Sequence, residues 1–356
     1  MSDADACWMR RVIGLARQAE GRTAPSPMAG AVVVRGDRVL AEGWRRTPDA
    51  DPADVDALRQ LPETMAPGGV LVTNRMPSSV EAILSRGICR VVVGENAPRG
   101  AALRSRLQDN GVRVDVGVEE DACRRLNAAY LTVMSTGRPL MVLKAGVTLD
   151  GRIADGSGAS QWITGPQARA AGHQLRNRLD AVLVGSGTLL VDDPSLNTRI
   201  DGGRNARPVI LDSQLRCPPG ARVLTAGRAP LVFCAEDAPH RTLPAEVVRV
   251  PRAASGEGLS WEAVFHAMVL RNIHSVLVEG GGRVHRSLLE IGAVDRLVLF
   301  VAPKVLAGGP GFVAGPGFAL ASAPAFEVIS VEKTGRDVQL TFEPAHAAWR
   351  GRAPAE

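Results

Sequence analysis

Residues Leu143–Gly165 read LKAGVTLDGRIADGSGASQWITG, and they carry more chemistry than any other stretch of the chain. A lone lysine, an Asp-Gly turn and a Ser-Gln-Trp-Ile-Thr-Gly run share this short span. Core packing alone does not call for that mixture. Only three lysines occur in 356 residues, Lys144, Lys304 and Lys333, in a chain whose other bases are arginine. Lysine is a compact point charge whose pKa moves readily on burial. Lys144 is therefore a candidate for chemistry, with drift as the plain alternative.

Two further groups of residues can do work at a strand end. Gly280-Gly281-Gly282 follows the apolar run Ser275–Glu279 and precedes a helical pattern. Strand, glycine turn and helix N-terminus together offer backbone N–H groups to an anion. The alternative is an ordinary tight turn. Glu279 tips the balance, because a carboxylate ending a buried strand needs a partner. Gly185-Ser186-Gly187-Thr188 also follows an apolar strand, and small residues there leave a cleft for a flat ligand. Asp192-Asp193-Pro194 comes next, with loop capping as the alternative reading for both acids. Arg176 and Arg199 suit bidentate recognition of a phosphate or carboxylate, although any one arginine of so many can be a surface charge.

The elements that must position these residues read as α/β. Trp8, Val12, Leu15 and Ala19 recur at helical spacing. Two short strands flank Arg35-Gly36-Asp37-Arg38, a hairpin signal. Asp51-Pro52 opens a helix with Asp51 as cap. Strands are expected at 70–73, 90–94 and 112–116, with helices at 79–86, ahead of Asn110-Gly111, and at 119–135. Thr136-Gly137-Arg138-Pro139 breaks the pattern and is the expected boundary, giving domains 1–137 and 138–346 and a tail 347–356. The second half predicts strands at 140–144, 181–185, 208–212, 231–234, 247–250, 275–279 and 296–301. Helices are expected at 166–178, 261–271 and 284–291, and a closing hairpin at 327–342. Ends after Lys144, Gly185, Asp212 and Glu279 should meet on one edge of a parallel-type sheet.

Composition narrows the function classes. Apolar residues make up 45 % and the net charge is +5, which describes a globular chain with a thin, dispersed basic excess. Aromatics are only 4 %, and no basic stripe interleaves with them, so a nucleic-acid groove is not expected. Small anionic ligands explain the charge as well. No apolar run reaches membrane-spanning length. The opening MSDADACWMRR puts acids where a secretory signal puts bases, which speaks against export and for a cytoplasmic location. The five scattered cysteines read as small buried hydrophobes.

The runs LKAGVTLDGRIA, SQWITGPQAR, VGSGTLLVDDPSL, VILDSQLR, VLVEGGGRV and APKVLAGG occur in this order between Leu143 and Gly309. Together they resemble the reductase half of the bifunctional riboflavin-biosynthesis deaminase/reductase family. Gly146 and Thr148 depart from it conservatively, standing where alanine and serine are commoner. The resemblance implies a cytidine-deaminase-like three-layer α/β/α domain followed by a dihydrofolate-reductase-like α/β domain, NADPH as cofactor, and a phosphorylated ribosylaminopyrimidine as substrate. It also implies a homodimer. Carried over by position, Gly146, Trp162, Thr188, Asp192 and Ser213 would line the cofactor. Gly281, Gly282, Arg283 and Val284 would hold its diphosphate. Ser160, Arg176, Leu196, Arg199 and Glu279 would hold the substrate, with the arginines near its phosphate. Lys144, Asp192 and Glu279 are the candidate catalytic residues, and Lys144 would stabilise or protonate the reacting nitrogen. Ser213 and Arg216 follow a strand end where an adenosine 2′-phosphate could be read.

The first half resembles the family's deaminase half in frame only. Thr23–Ala31 matches the opening substrate loop, with Ser26 where the family has asparagine. Pro52-Ala53-Asp54 stands in the register of the His-Ala-Glu zinc signature. Thr73 runs into Asn74-Arg75-Met76-Pro77-Ser78-Ser79 where the Pro-Cys signature belongs. No histidine precedes His173, and Cys7, Cys89 and Cys123 lack Cys-x-x-Cys spacing. Such a site needs a His or Cys ligand, two thiolates and a general-base glutamate. No zinc and no deamination are expected. The resemblance leaves two other readings open: a related reductase in a secondary-metabolite pathway, or a non-catalytic binding protein.

Overall fold

A computed structural model describes residues 2–62, 68–96 and 100–344. The chain divides into two compact units, 1–131 and 132–356. The division falls within the helix Ala128–Thr136, a few residues ahead of the Gly137-Arg138-Pro139 break. The tail 347–356 lies outside the described residues.

The N-terminal unit is three-layered. Helix α1 (Asp3–Arg17) starts at a capping box in which the Ser2 hydroxyl and the Asp5 carboxylate each accept the other's backbone N–H. Strands β1 (Gly30–Arg35) and β2 (Arg38–Trp44) form the expected hairpin. After α2 (Ala53–Arg59) come β3 (Gly69–Thr73), α3 (Val80–Ser85), β4 (Ile88–Val93), α4 (Ala101–Asp109) and β5 (Arg113–Val116). The sheet order is β2-β1-β3-β4-β5. Alternation along the strands makes two cores. Val32, Val34, Val72 and Val92 pack with Met9, Val12 and Ala16 of α1. Ala31, Val33, Leu71 and Val91 face Leu58, Ile83 and Leu107 of α2, α3 and α4.

Three details differ from expectation. Residue Pro52, not Asp51, is the cap of α2, and Asp51 instead pairs with Arg59. The single helix expected over 119–135 is two, α5 (Glu120–Leu126) and α6 (Ala128–Thr136). Buried Asn127 separates them: its amide group accepts the Met28 N–H at 2.8 Å and donates to the Met28 carbonyl at 3.0 Å. Finally, Cys123, Cys217 and Cys234 are buried, but Cys7 and Cys89 are exposed. They sit on the solvent side of α1 and near the start of β4.

The C-terminal unit is one nine-stranded sheet with order β10-β9-β8-β7-β11-β6-β12-β14-β13. Its elements run β6 (Leu140–Thr148), α7 (Pro166–Arg178), β7 (Ala181–Gly185), α8 (Ser186–Asp192), β8 (Arg207–Leu211), α9 (Arg222–Thr225), β9 (Leu231–Ala235) and β10 (Glu246–Val250). Then come α10 (Trp261–Val269), β11 (Ser275–Val278), α11 (Gly282–Glu290), β12 (Arg296–Ala302), β13 (Glu327–Thr334) and β14 (Asp337–Glu343). All pairings from β10 across to β12 are parallel; the β13–β14 hairpin is antiparallel and closes the sheet beside β12. Met141, Leu143, Leu183, Phe233, Met268, Val276 and Leu288 fill the main core. Helices α8 and α9 were not expected from sequence. Strand β11, late in the chain, inserts between β7 and β6, and the parallel strands end on one edge there. Ligands bind at such a switch point in open α/β sheets. Among the described residues no helix is long and apolar enough to cross a membrane.

Candidate active site

Strand register brings the lysine and the glutamate together. Leu143 of β6 pairs with Val278 of β11, so Lys144 and Glu279 are the next residues on neighbouring strands. The Glu279 N–H donates to the Leu183 carbonyl at 3.0 Å, which holds the strand end in place. Helix α7 lies against this pair. It starts at Gly165, whose N–H donates to buried Asp337 at 2.6 Å, with Pro166 as its first residue. Gly172 of α7 packs against the lysine stem: a methyl group there would lie in ordinary contact, 3.4 Å from the Lys144 Cε. One turn on, Arg176 clasps Glu279 with two hydrogen bonds of 2.7 Å each. The Lys144 ammonium stands 3.8 Å from the same carboxylate.

Burial alone would raise the Glu279 pKa. Lys144 and Arg176 outweigh it by charge and hydrogen bonding and hold it at about 2. The glutamate is thus a fixed anion. A third Arg176 donor reaches the Asn197 carbonyl at 2.8 Å, tying α7 to the loop after α8. His173, also on α7, is half-buried, and its Nδ1 is shut from solvent without a partner among the described residues. Burial, together with Arg176, Arg199 and Lys144, lowers its pKa and keeps it neutral at pH 7.

A cavity of about 240 Å³ opens beside this cluster. Four of the residues assigned to substrate from sequence, Ser160, Arg176, Leu196 and Arg199, line it. Glu279, the fifth, is one hydrogen bond away through Arg176. Trp162 and Asp192, assigned to the cofactor, line it too, and so do Gln161, Pro194, Ser195 and Arg222, which sequence reasoning missed. Asp192 ends α8 and has no hydrogen-bond partner among the described residues; desolvation raises its pKa. In the loop that follows, Asp193, Leu196 and Arg199 all take left-handed backbone conformations, with φ of 37°, 55° and 53°. Each costs of order 1 kcal/mol in a non-glycine residue, and such strain gathers at sites that must hold a shape.

The remaining cofactor candidates lie along the same strand edge. At Gly280 an added Cβ would meet the Thr188 hydroxyl at 2.7 Å. Gly281 has φ of 87° and precedes α11 without any side-chain cap, so N–H groups of its first turn stay available. Val284 packs against Gly185, where a Cβ would come within 3.0 Å of it. Arg283 is exposed beside them. Gly146 faces Thr164, in the stretch that carries Trp162, with 3.0 Å left for a Cβ. Ser213 follows β8, and Arg216 donates to the Ser186 hydroxyl at 3.1 Å, joining the ends of β8 and β7.

The rest of the opening motif is scaffold. The Asp150 carboxylate accepts from the Thr148 hydroxyl and the Leu306 and Ala307 N–H groups, which brings its pKa to about 2. Lys304, in the segment so fastened, donates to the Trp162 carbonyl at 2.8 Å, and Arg169 covers the Trp162 ring at 4.4 Å. In the N-terminal unit, buried Asp54 accepts the Ser78 N–H and hydroxyl at 2.7 and 2.9 Å. Among the described residues no three or more His, Cys, Asp or Glu side chains gather as metal ligands would.

Fold and site together define a two-domain α/β protein whose C-terminal half is a reductase domain. The family model described as the RibD C-terminal domain matches residues 139–340. The riboflavin biosynthesis protein RibD of Escherichia coli is 33 % identical over 94 % of this chain and 98 % of its own length. That of Aquifex aeolicus is 34 % identical over 86 % and 88 %. The solved diaminohydroxyphosphoribosylaminopyrimidine deaminase/5-amino-6-(5-phosphoribosylamino)uracil reductase of Thermotoga maritima superposes with a TM-score of 0.86. It is 30 % identical and covers 96 % of this chain and 99 % of its own. Acinetobacter baumannii RibD gives a TM-score of 0.84 at 28 % identity, covering 96 % and 99 %. This chain belongs to the RibD family of riboflavin biosynthesis. Its N-terminal unit is deaminase-like and its C-terminal unit dihydrofolate-reductase-like in fold.

Proposed function

We propose that this protein is an NADPH-dependent reductase of 5-amino-6-(5-phosphoribosylamino)uracil and that its deaminase activity is lost. The convergence of Ser160, Arg176, Leu196 and Arg199 on one cavity beside Lys144 and Glu279 carries the first part. The glycine cradle at Gly280 and Gly281, opening onto α11, fits a dinucleotide diphosphate. Bound NADPH would supply a hydride to the first carbon of the ring-opened sugar, giving the ribitylamine. Lys144 would stabilise charge on the adjacent nitrogen, and Glu279 would keep that ammonium and Arg176 in place. Asp192, unpaired at the cavity wall with a raised pKa, is the candidate proton donor.

The second part rests on residue chemistry. Asp54 occupies the zinc-signature register, and its carboxylate is already engaged by Ser78. Cys7, Cys89 and Cys123 lie on α1, β4 and α5. These residues do not fit a deaminase zinc site. The test uses the purified full chain with NADPH and either the deaminated or the undeaminated pyrimidine. NADPH oxidation with the first, with no ammonia release from the second and no stoichiometric zinc, is expected. Turnover only with a different pyrimidine would shift the reading to another pathway. Absence of any NADPH oxidation would favour a binding protein.

A further inference from the structure

Three arginines line the cavity, Arg176, Arg199 and Arg222, but they are not equivalent. Arg176 spends three donors on Glu279 and the Asn197 carbonyl, and its charge is matched by that buried carboxylate. Two of its five N–H donors remain for a ligand. The Arg199 and Arg222 side chains are exposed, and neither guanidinium has a hydrogen-bond or ion-pair partner among the described residues. Among the described residues that line the cavity Asp192 is the one acid, so the two unpaired arginines leave the lining net positive even when it is ionised.

One residue joins the two segments that carry these arginines. Asp193 caps α8 in a left-handed conformation and starts the strained loop that ends at Arg199. Its Oδ1 accepts the backbone N–H of Arg222 at 2.8 Å, which pins the start of α9 to that loop. A carboxylate that could have paired with a guanidinium binds a peptide group instead, and both guanidinium heads stay free. Two planar forks on one cavity wall match the oxygens of a phosphomonoester.

We propose that Arg222, fastened by Asp193 and acting with Arg199, is a further substrate-binding residue that clamps the phosphate of a sugar phosphomonoester, while Arg176 positions Glu279. The site stands on geometry; only the naming of the sugar phosphate as part of the aminouracil substrate rests on the proposed function. The test is calorimetric binding of ribose 5-phosphate and of ribose to the full chain, with Arg222→Gln and Arg222→Lys. Arg222→Gln should weaken ribose 5-phosphate binding about 10- to 100-fold, as loss of a charge-assisted hydrogen bond implies. Ribose affinity should stay unchanged. Arg222→Lys should recover only part, because the fork is lost. In turnover, Arg222→Gln should raise KM for the phosphorylated substrate with kcat within about 3-fold, as loss of uniform binding does. Unaltered ribose 5-phosphate binding in Arg222→Gln, or equal weakening of ribose, overturns the proposal. Arg222-dependent sugar phosphate binding by a chain that does not reduce the aminouracil would overturn the function and leave the clamp.

Discussion

Replacing Glu279 by glutamine tests the centre of the site. The carboxylate side chain is 7 % exposed and that of Arg176 14 %, so solvent screens the pair little. Removing one partner of a buried pair leaves an uncompensated charge and costs about 3–5 kcal/mol. Here two cations lose their anion, because Lys144 stands 3.8 Å away. For a unit of this size about 1 kcal/mol shifts Tm by roughly 2–4 °C, so Glu279→Gln should lower it by about 6–20 °C. Calorimetry at pH 7 would measure the shift. Glu279→Gln with Arg176→Gln should recover at least about half of the loss, because both charges go together, yet activity should stay absent. The sign with pH is set by the depressed pKa. Stabilisation by the ionised glutamate is complete above the ordinary value of 4.5 and disappears as pH falls to about 2. Wild type and Glu279→Gln should therefore converge in acid. A single variant as stable as wild type at pH 7, or a double variant whose losses simply add, would refute the reasoning.

Three further outcomes follow from the same geometry. Lys144→Met should lower kcat at least about 100-fold with NADPH affinity retained, measured by fluorescence titration, since in the proposed function the lysine would act on developing charge. Gly281→Ala meets a φ of 87° and fills the cradle, so KM for NADPH should rise about 10-fold or more while substrate KM moves little. Asp192→Asn removes a carboxyl whose pKa is raised by desolvation. The contribution of this carboxyl to stability is complete below the ordinary carboxylate range and declines as pH rises through the raised value; the asparagine variant should lack that component of the pH dependence and still lose catalysis, read as Tm and kcat against pH.

Most of the elements were legible because their signals are local. Short continuous apolar runs marked β1, β7 and β11, and Gly165-Pro166 marked the start of α7. Site assignments taken from the ordered motifs fell on one strand edge because β6, β7, β8 and β11 are parallel neighbours or share one. What stayed hidden depends on contacts distant in sequence or on conformations the residue type does not advertise. Small residues at Ser186-Gly187-Thr188 read as a cleft at a strand end, yet they begin α8. Leucine and arginine give no hint that Leu196 and Arg199 will be left-handed. Arg222 reaches the cavity because Asp193, 29 positions earlier, accepts its N–H. Lys304 touches the Trp162 carbonyl across 142 positions.

The expectation for Glu279 also changes its meaning. From sequence it was a buried carboxylate in need of a polar ligand. In the fold its oxygens are met by Arg176 at 2.7 Å and by Lys144 at 3.8 Å, so the protein satisfies it without ligand. A carboxylate so held cannot also exchange protons near neutral pH, because its pKa lies near 2. Acid–base work then falls to unpaired groups, and Asp192, exposed at the cavity wall with its pKa raised by partial desolvation, is such a group. The fixed anion and the free acid differ in their surroundings, the one buried with cations at hand and the other exposed without them.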